Sequence, residues 1–169
     1  PAGEVVEFVT EITMGQAPSK LTGRVAGDRM DLEAESDGKR LKSQMAWGPG
    51  IRGFYGVEQS LAATPPKPGE RRKLQVLVPM IDQVAKVAIT AGELETTDVL
   101  GKSTSLLRVE SVSTLPDGTK MPETYWLDDA GRVIKRRVDS MQQESFRTTE
   151  AIAQAAAPAG PSYDVGVDT

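Results

Sequence analysis

Few of the residue combinations that enzymatic chemistry requires are present in this chain. Among its 169 residues there is no histidine and no cysteine. Their absence removes the usual general base near neutral pH, the strongest protein nucleophile and two major transition-metal ligands. Carboxylates, hydroxyls, amines and guanidinium groups remain. Four acidic side chains recur at alternate positions: Asp31, Glu33, Glu35 and Asp37. On a strand, same-face neighbours stand about 6.8 Å apart, whereas a hard cation gathers its oxygens within about 2.6 Å of itself. The row therefore reads as a solvated strand face. Asp128-Asp129-Ala130-Gly131 opens like a calcium loop but lacks the later ligands, and reads as a hairpin turn. Two carboxylates can hydrolyse a glycosidic bond without histidine, yet no pair stands out by position.

Gly48-Pro49-Gly50-Ile51-Arg52-Gly53 spells a dinucleotide fingerprint. That motif works in a strand–turn–helix unit between parallel strands, where backbone amides approach a pyrophosphate. Pro49 removes one of those amides and the flanking strands read as antiparallel. A flexible turn into a short helix is the expected structure, and no cofactor is implied. The remaining chemical candidates are aromatic. Trp47, Phe54, Tyr55, Tyr125 and Trp126 either anchor a core poor in aromatics or line an apolar groove at the mouth of a curved sheet.

Period-two alternation is the dominant signal for the elements that must hold these residues. Val6, Phe8, Ile12 and Met14 alternate with Glu7, Glu11 and Thr13, and residues 20–26 form a second strand. Met30, Leu32 and Ala34 alternate with the acidic row, and Asp37-Gly38 supplies a two-residue hairpin turn. That turn sets Glu35 opposite Arg40, Glu33 opposite Lys42, Ala34 opposite Leu41 and Met30 opposite Met45, with charges on one face and apolar groups on the other. Trp47-Gly48-Pro49-Gly50 stops the strand. Residues 53–63 read as a short helix with Phe54, Val57 and Leu61 as its apolar stripe. Pro65-Pro66-Lys67-Pro68-Gly69 is a stiff crossover, since proline neither continues a helix nor enters a central strand.

Alternation resumes at Leu74, Val76 and Val78, then from Val84 to Ala91 and on towards Val99. Residues 105–114 make a strand ending at the turn Pro116-Asp117-Gly118. Thr124–Leu127 pairs with Val133–Val138 through Asp128–Gly131, and a strand at about Gln142–Thr149 precedes a weak helix at Glu150–Ala157. The expected fold is all-β with these two helical pieces. It is one antiparallel sheet of nine or ten strands, long enough that it must curl into an unclosed barrel. Residues 1–157 form one domain, and residues 158–169 read as a linker or tail towards a further domain.

Charge narrows the partners. Twenty basic and twenty-four acidic residues are interspersed and leave a net charge of −4, which offers nothing to a phosphate backbone and excludes nucleic acid as an expected partner. Arg71-Arg72-Lys73 and Lys135-Arg136-Arg137 are short basic triplets, expected as solvated strand ends. No window of about 18 apolar residues exists, so no membrane span is expected. The start, Pro1-Ala2-Gly3-Glu4, has neither an initiator Met nor a signal peptide and reads as a processed N-terminus.

Two stretches carry a family likeness. Lys67-Pro68-Gly69-Glu70-Arg71 leads into an apolar strand, and Tyr125–Lys135 runs as Trp-Leu, acidic turn, Gly and basic apolar strand. Over roughly residues 40–140 this resembles the unclosed β-barrel domains of Gram-negative envelope proteins, distantly similar in shape to periplasmic lipoprotein carriers. Val57-Glu58-Gln59-Ser60-Leu61, Pro68-Gly69-Glu70 and Glu144–Thr149 resemble an N-terminal region of transglutaminase-like proteins from planctomycete-type bacteria. Tyr163–Thr169 looks like the start of the connection to a Cys-His-Asp catalytic domain. Without Cys and His no triad maps onto this chain, so no catalytic residue is carried over.

The resemblance implies a non-catalytic accessory or binding domain of a larger extracytoplasmic transglutaminase-like protein, whose partners are the following catalytic domain and an envelope protein. The alternative is a carrier-like half-barrel that holds lipid or another apolar ligand. A stand-alone enzyme using carboxylates or Ser/Lys chemistry is the third and least favoured reading.

Overall fold

The computed structural model describes residues 6–14, 17–78 and 83–156. The first four strands are β1 (Glu7–Met14), β2 (Ala17–Ala26), β3 (Arg29–Ser36) and β4 (Lys39–Ala46), joined in sequence as a four-stranded antiparallel sheet. Its register agrees with the sequence: Glu35 faces Arg40, Glu33 faces Lys42, Ala34 faces Leu41 and Met30 faces Met45. The turn between β3 and β4 holds Asp37 at φ 50° and Gly38 at φ 71°, the left-handed pair that a two-residue hairpin turn needs. Glycine serves a second purpose at Gly23, where a Cβ would stand 2.1 Å from the Phe8 ring. That ring lies against the bare backbone of β2.

A seven-stranded sheet follows. It contains β5 (Ile51–Arg52), β6 (Arg71–Val78), β7 (Gln83–Val99), β8 (Lys102–Thr114), β9 (Lys120–Leu127), β10 (Val133–Val138) and β11 (Gln143–Phe146), side by side in the order β11-β10-β9-β8-β7-β6-β5. Helix α1 (Gly56–Ala63) crosses from β5 to β6, and α2 (Glu150–Ala156) follows β11. The architecture is mostly β with two helices, curled as an unclosed half-barrel. Two details differ from expectation. The described strands number eleven in two sheets, and β5 runs parallel to β6. A two-residue strand shows no alternation, and the α1 crossover returns the chain in the direction in which it left.

Adjacent residues on a strand point to opposite faces, and Val76 and Leu77 show where each layer sits. Val76 joins the cluster formed by Val57 and Leu61 of α1 with Val87, Ile89, Ala91, Leu107, Val109, Tyr125 and Leu127. Leu77 joins Met30, Leu32, Trp47 and Ile51, with Val84 packed alongside. Helix α1 therefore covers one face of the larger sheet, while the four-stranded sheet meets the other face near the β5–β6 edge.

Contacts around the end of α1 show which way the larger sheet bends. Arg72 on β6 donates through Nη1 to the Ser60 carbonyl at 3.1 Å, and the Gly131 backbone, in the β9–β10 turn, lies against the Leu61 carbonyl. In a flat sheet, three strand spacings would separate these elements by about 14 Å. Both reach neighbouring carbonyls, so the sheet wraps around α1 and the helix occupies the concave face. The helix begins at Gly56, later than expected from residue 53. A turn closed by Gly56 N to Gly53 O at 2.9 Å precedes it and leaves Phe54 outside the stripe, with only Val57 and Leu61 engaging the sheet.

Candidate functional site

On the concave face, next to α1, the structure gathers four polar side chains that sequence spacing did not connect. Glu123 and Tyr125 lie two residues apart on β9 and so share a face, and Arg136 on β10 sits directly opposite Tyr125. The Arg136 Nη2 donates to Glu123 Oε1 at 2.7 Å, the Tyr125 hydroxyl donates to the other Glu123 oxygen, and Glu58 of α1 approaches Arg136 Nη1 at 4.0 Å. The Arg136 guanidinium also lies 5.7 Å from the Tyr125 ring centroid. One cation thus ties two strands and the helix together.

A β-bulge creates this arrangement. Val133 pairs with Leu127, but Lys135 pairs with Trp126, so Ile134 is the extra residue. In a regular ladder Arg136 would face Thr124 and point outward. The bulge turns Arg136 inward and Lys135 outward. Lys135 then lies beside the Trp126 and Phe146 rings, 5.0 and 5.4 Å from their centroids, and 3.1 Å from Glu144. The basic triplets are consequently only half solvated: Arg71, Lys73 and Arg137 are exposed as expected, whereas Arg72, Lys135 and Arg136 are not. Lys135 is buried at 8% exposure, Arg136 is enclosed under α1, and Arg72 pairs with Glu70 at 2.7 Å while holding the helix. Charge counting could not reveal this, because burial depends on what the fold lays over each residue.

The protonation states follow from the same packing. Burial is the main reason the Glu58 carboxyl titrates above its ordinary value, with the charge of Glu123 adding to it and a backbone hydrogen bond and Arg136 opposing it. Burial, and then the negative charges of Glu58 and Glu123, push the Tyr125 phenol far up, so it remains a donor. In the β9–β10 turn, burial raises Asp128, but donors from Arg132 and the Ala130 amide outweigh it and hold the carboxyl below its usual range. Its oxygens are thus occupied with closing a hairpin.

Because Glu58 takes up protons more readily in the folded chain than in the unfolded one, its contribution favours the native state at low pH. That contribution declines as pH rises from about 4.5 through the raised folded value. Glu58→Gln should therefore raise the melting temperature at pH 7. The gain should shrink towards pH 4, where the native carboxyl is already protonated. Calorimetric scans of both proteins at the two pH values test this, and an equal difference at both would contradict it.

The five aromatic candidates do not line one groove. Trp47 is buried where the two sheets meet and forms part of a cleft of about 330 Å³ with Val25, Pro49 and Ile51. Phe54 and Tyr55 pair edge to face on the surface at 5.0 Å, just before α1. Tyr125 lies beneath α1, whereas Trp126 points to the opposite face and donates to Glu95. Neighbouring strand residues cannot share a face, a signal the sequence already contained.

The expectation of antiparallel flanking strands fails here, because β5, α1 and the parallel β6 form a short strand–helix–strand unit. Gly48 and Gly50 nevertheless precede β5, whereas a nucleotide site sets its glycines between strand and helix, where only Gly53 lies. The row Asp31, Glu33 and Glu35 pairs with cations: Arg29 with Asp31 at 3.3 Å, Arg40 with Glu33 and Glu35, and Lys42 with Glu33. Among the described residues no helix is long and apolar enough to cross a membrane. No family model, curated protein or solved structure matches the chain.

Proposed function

We propose that this chain is a non-catalytic binding module that works beside the catalytic domain of a larger transglutaminase-like protein outside the cytoplasm. The observation that carries the reading is the use made of the polar groups on the concave face. Glu58, Glu123, Tyr125 and Arg136 bind one another and fasten α1, a construction role rather than a reactive one. The segments that carry the resemblance take part in the same construction. Val57–Leu61 lies within α1, and Glu70 holds Arg72, which in turn holds the Ser60 carbonyl.

The carrier reading places an apolar ligand on the concave face, where Val57 and Leu61 already rest on Val76, Ile89 and Tyr125. A ligand would have to displace the helix, which makes this reading the weaker one. Two measurements separate the readings. The purified chain mixed with amine donors and glutamine acceptors should form no product, and turnover would overturn the proposal. Titration with a fluorescent fatty acid should show no saturable binding. Saturable binding would establish the carrier instead.

A further inference from the structure

On one face of the four-stranded sheet the charges change sign from strand to strand. The register aligns Glu11, Lys20, Glu35 and Arg40 in one row, Val9, Thr22, Glu33 and Lys42 in the next, and Glu7, Arg24, Asp31 and Gln44 in the third. Thus β1 is acidic, β2 basic, β3 acidic and β4 basic. Neighbouring columns meet as ion pairs: Lys20 with Glu11 at 3.4 Å, Arg24 with Glu7 at 3.6 Å, Arg40 with Glu35 at 3.2 Å and Lys42 with Glu33 at 3.5 Å.

The two outer strands are half-served. β3 has a basic strand on one side and a basic strand on the other, but β1 has only β2 and β4 has only β3. Among the described residues no strand lies beyond either edge, so each presents a row of free backbone donors and acceptors. The edges carry opposite charge. Two β4 edges repel each other, as do two β1 edges, whereas β4 against β1 continues the alternation.

We propose that the four-stranded sheet is an interaction surface for a second copy of this chain, with β4 of one copy receiving β1 of the next. The strands alternate in direction, so a copy displaced sideways presents β1 antiparallel to β4. Continuing the rows sets Arg40 beside Glu11 of the second copy and Gln44 beside its Glu7. Lys42 then lies diagonal to both carboxylates, within reach of a long side chain. On the other face Leu41, 73% exposed at the edge, belongs to the row Thr10, Leu21, Ala34 and Leu41. Thr10 of the incoming strand would stand opposite it. Different edges meet in this contact, so it builds rings or open chains rather than closed two-fold dimers.

Basic side chains on an edge often serve only to prevent pairing, and sedimentation velocity distinguishes that role from the proposed one. At about 20 mM salt the mass of the full chain should rise with concentration, and about 0.5 M salt should weaken the association about tenfold. The double variants Arg40→Glu/Lys42→Glu and Glu7→Lys/Glu11→Lys should each be monomeric alone and associate when mixed.

The chain has no cysteine, so single exposed replacements give a second readout that leaves the ion pairs of β4 intact. Gln44→Cys mixed with Glu7→Cys should cross-link through a short bismaleimide mainly as the mixed pair. A wild-type chain that stays monomeric throughout, or cross-links no richer in the mixed pair than chance, would overturn the proposal. So would an extended Glu/Val peptide that binds a strictly monomeric chain at β4, since the edge would then serve a foreign strand.

Discussion

Replacing Gly131 with alanine is expected to lower the stability of the domain by about 3 kcal/mol, although the residue lies in a hairpin turn on the border of the sheet. Two costs combine. Gly131 has φ 74°, a left-handed conformation that costs a residue with a Cβ about 1–2 kcal/mol. The new Cβ would also stand 2.4 Å from the Leu61 carbonyl oxygen and 3.0 Å from Pro65 Cγ. Neither neighbour can rotate away, because one is helix backbone and the other belongs to the rigid proline crossover. Forcing atoms into a packed site typically costs about 1–3 kcal/mol.

For a domain of this size the melting temperature should fall by roughly 10 °C, and a chemical denaturation midpoint should move with it. Gly118→Ala is the control. Gly118 is also left-handed, at φ 88° with nothing near its Cβ position, so it should lose only the conformational part. Equal losses at the two sites would show that the β9–β10 turn does not brace α1.

Arg136→Met should be about as damaging, at roughly 2–3 kcal/mol. Removing one partner from a buried ion pair leaves an uncompensated charge, at a cost of about 3–5 kcal/mol when burial is complete. Here the side chains of Arg136, Glu58 and Glu123 keep 29%, 27% and 17% of their exposure, and water screening reduces the figure. Most of the loss should come from Glu123, which keeps only the Tyr125 hydroxyl, and from Glu58, whose carboxyl is already disfavoured as an anion. Combining Arg136→Met with Glu58→Gln should therefore recover part of the stability lost. Urea unfolding of both single variants and the double variant measures the coupling. Strict additivity would mean that Glu58 and Arg136 do not act on each other.

The half-barrel was legible because alternation repeats over so much of the chain, and in the β3–β4 hairpin the full register followed from one turn. Asp37-Gly38 leaves little choice of geometry, and the flanking charges and apolar groups fall into matching columns only in that register. The proline crossover was equally readable, since proline excludes helix and central strand alike. The late start of α1 was less so. Phe54 has suitable helical spacing from Val57 and Leu61, but periodicity cannot show that the chain is still turning at residues 53–56.

The polar cluster was not legible, for a specific reason. Which face Lys135 and Arg136 occupy depends on one extra residue at Ile134, and a bulge of one residue exchanges the faces of everything that follows it. No local property of Val133-Ile134-Lys135-Arg136 announces the bulge. It appears only with β9 in place on one side and α1 above, where Arg136 finds Glu123 and Glu58 while Lys135 reaches Trp126. Composition and alternation by themselves determined an all-β chain without cysteine or histidine chemistry. Tertiary structure alone decided which of its charged side chains face inward, because an ion becomes buried only when elements distant in sequence close around it and supply its partners.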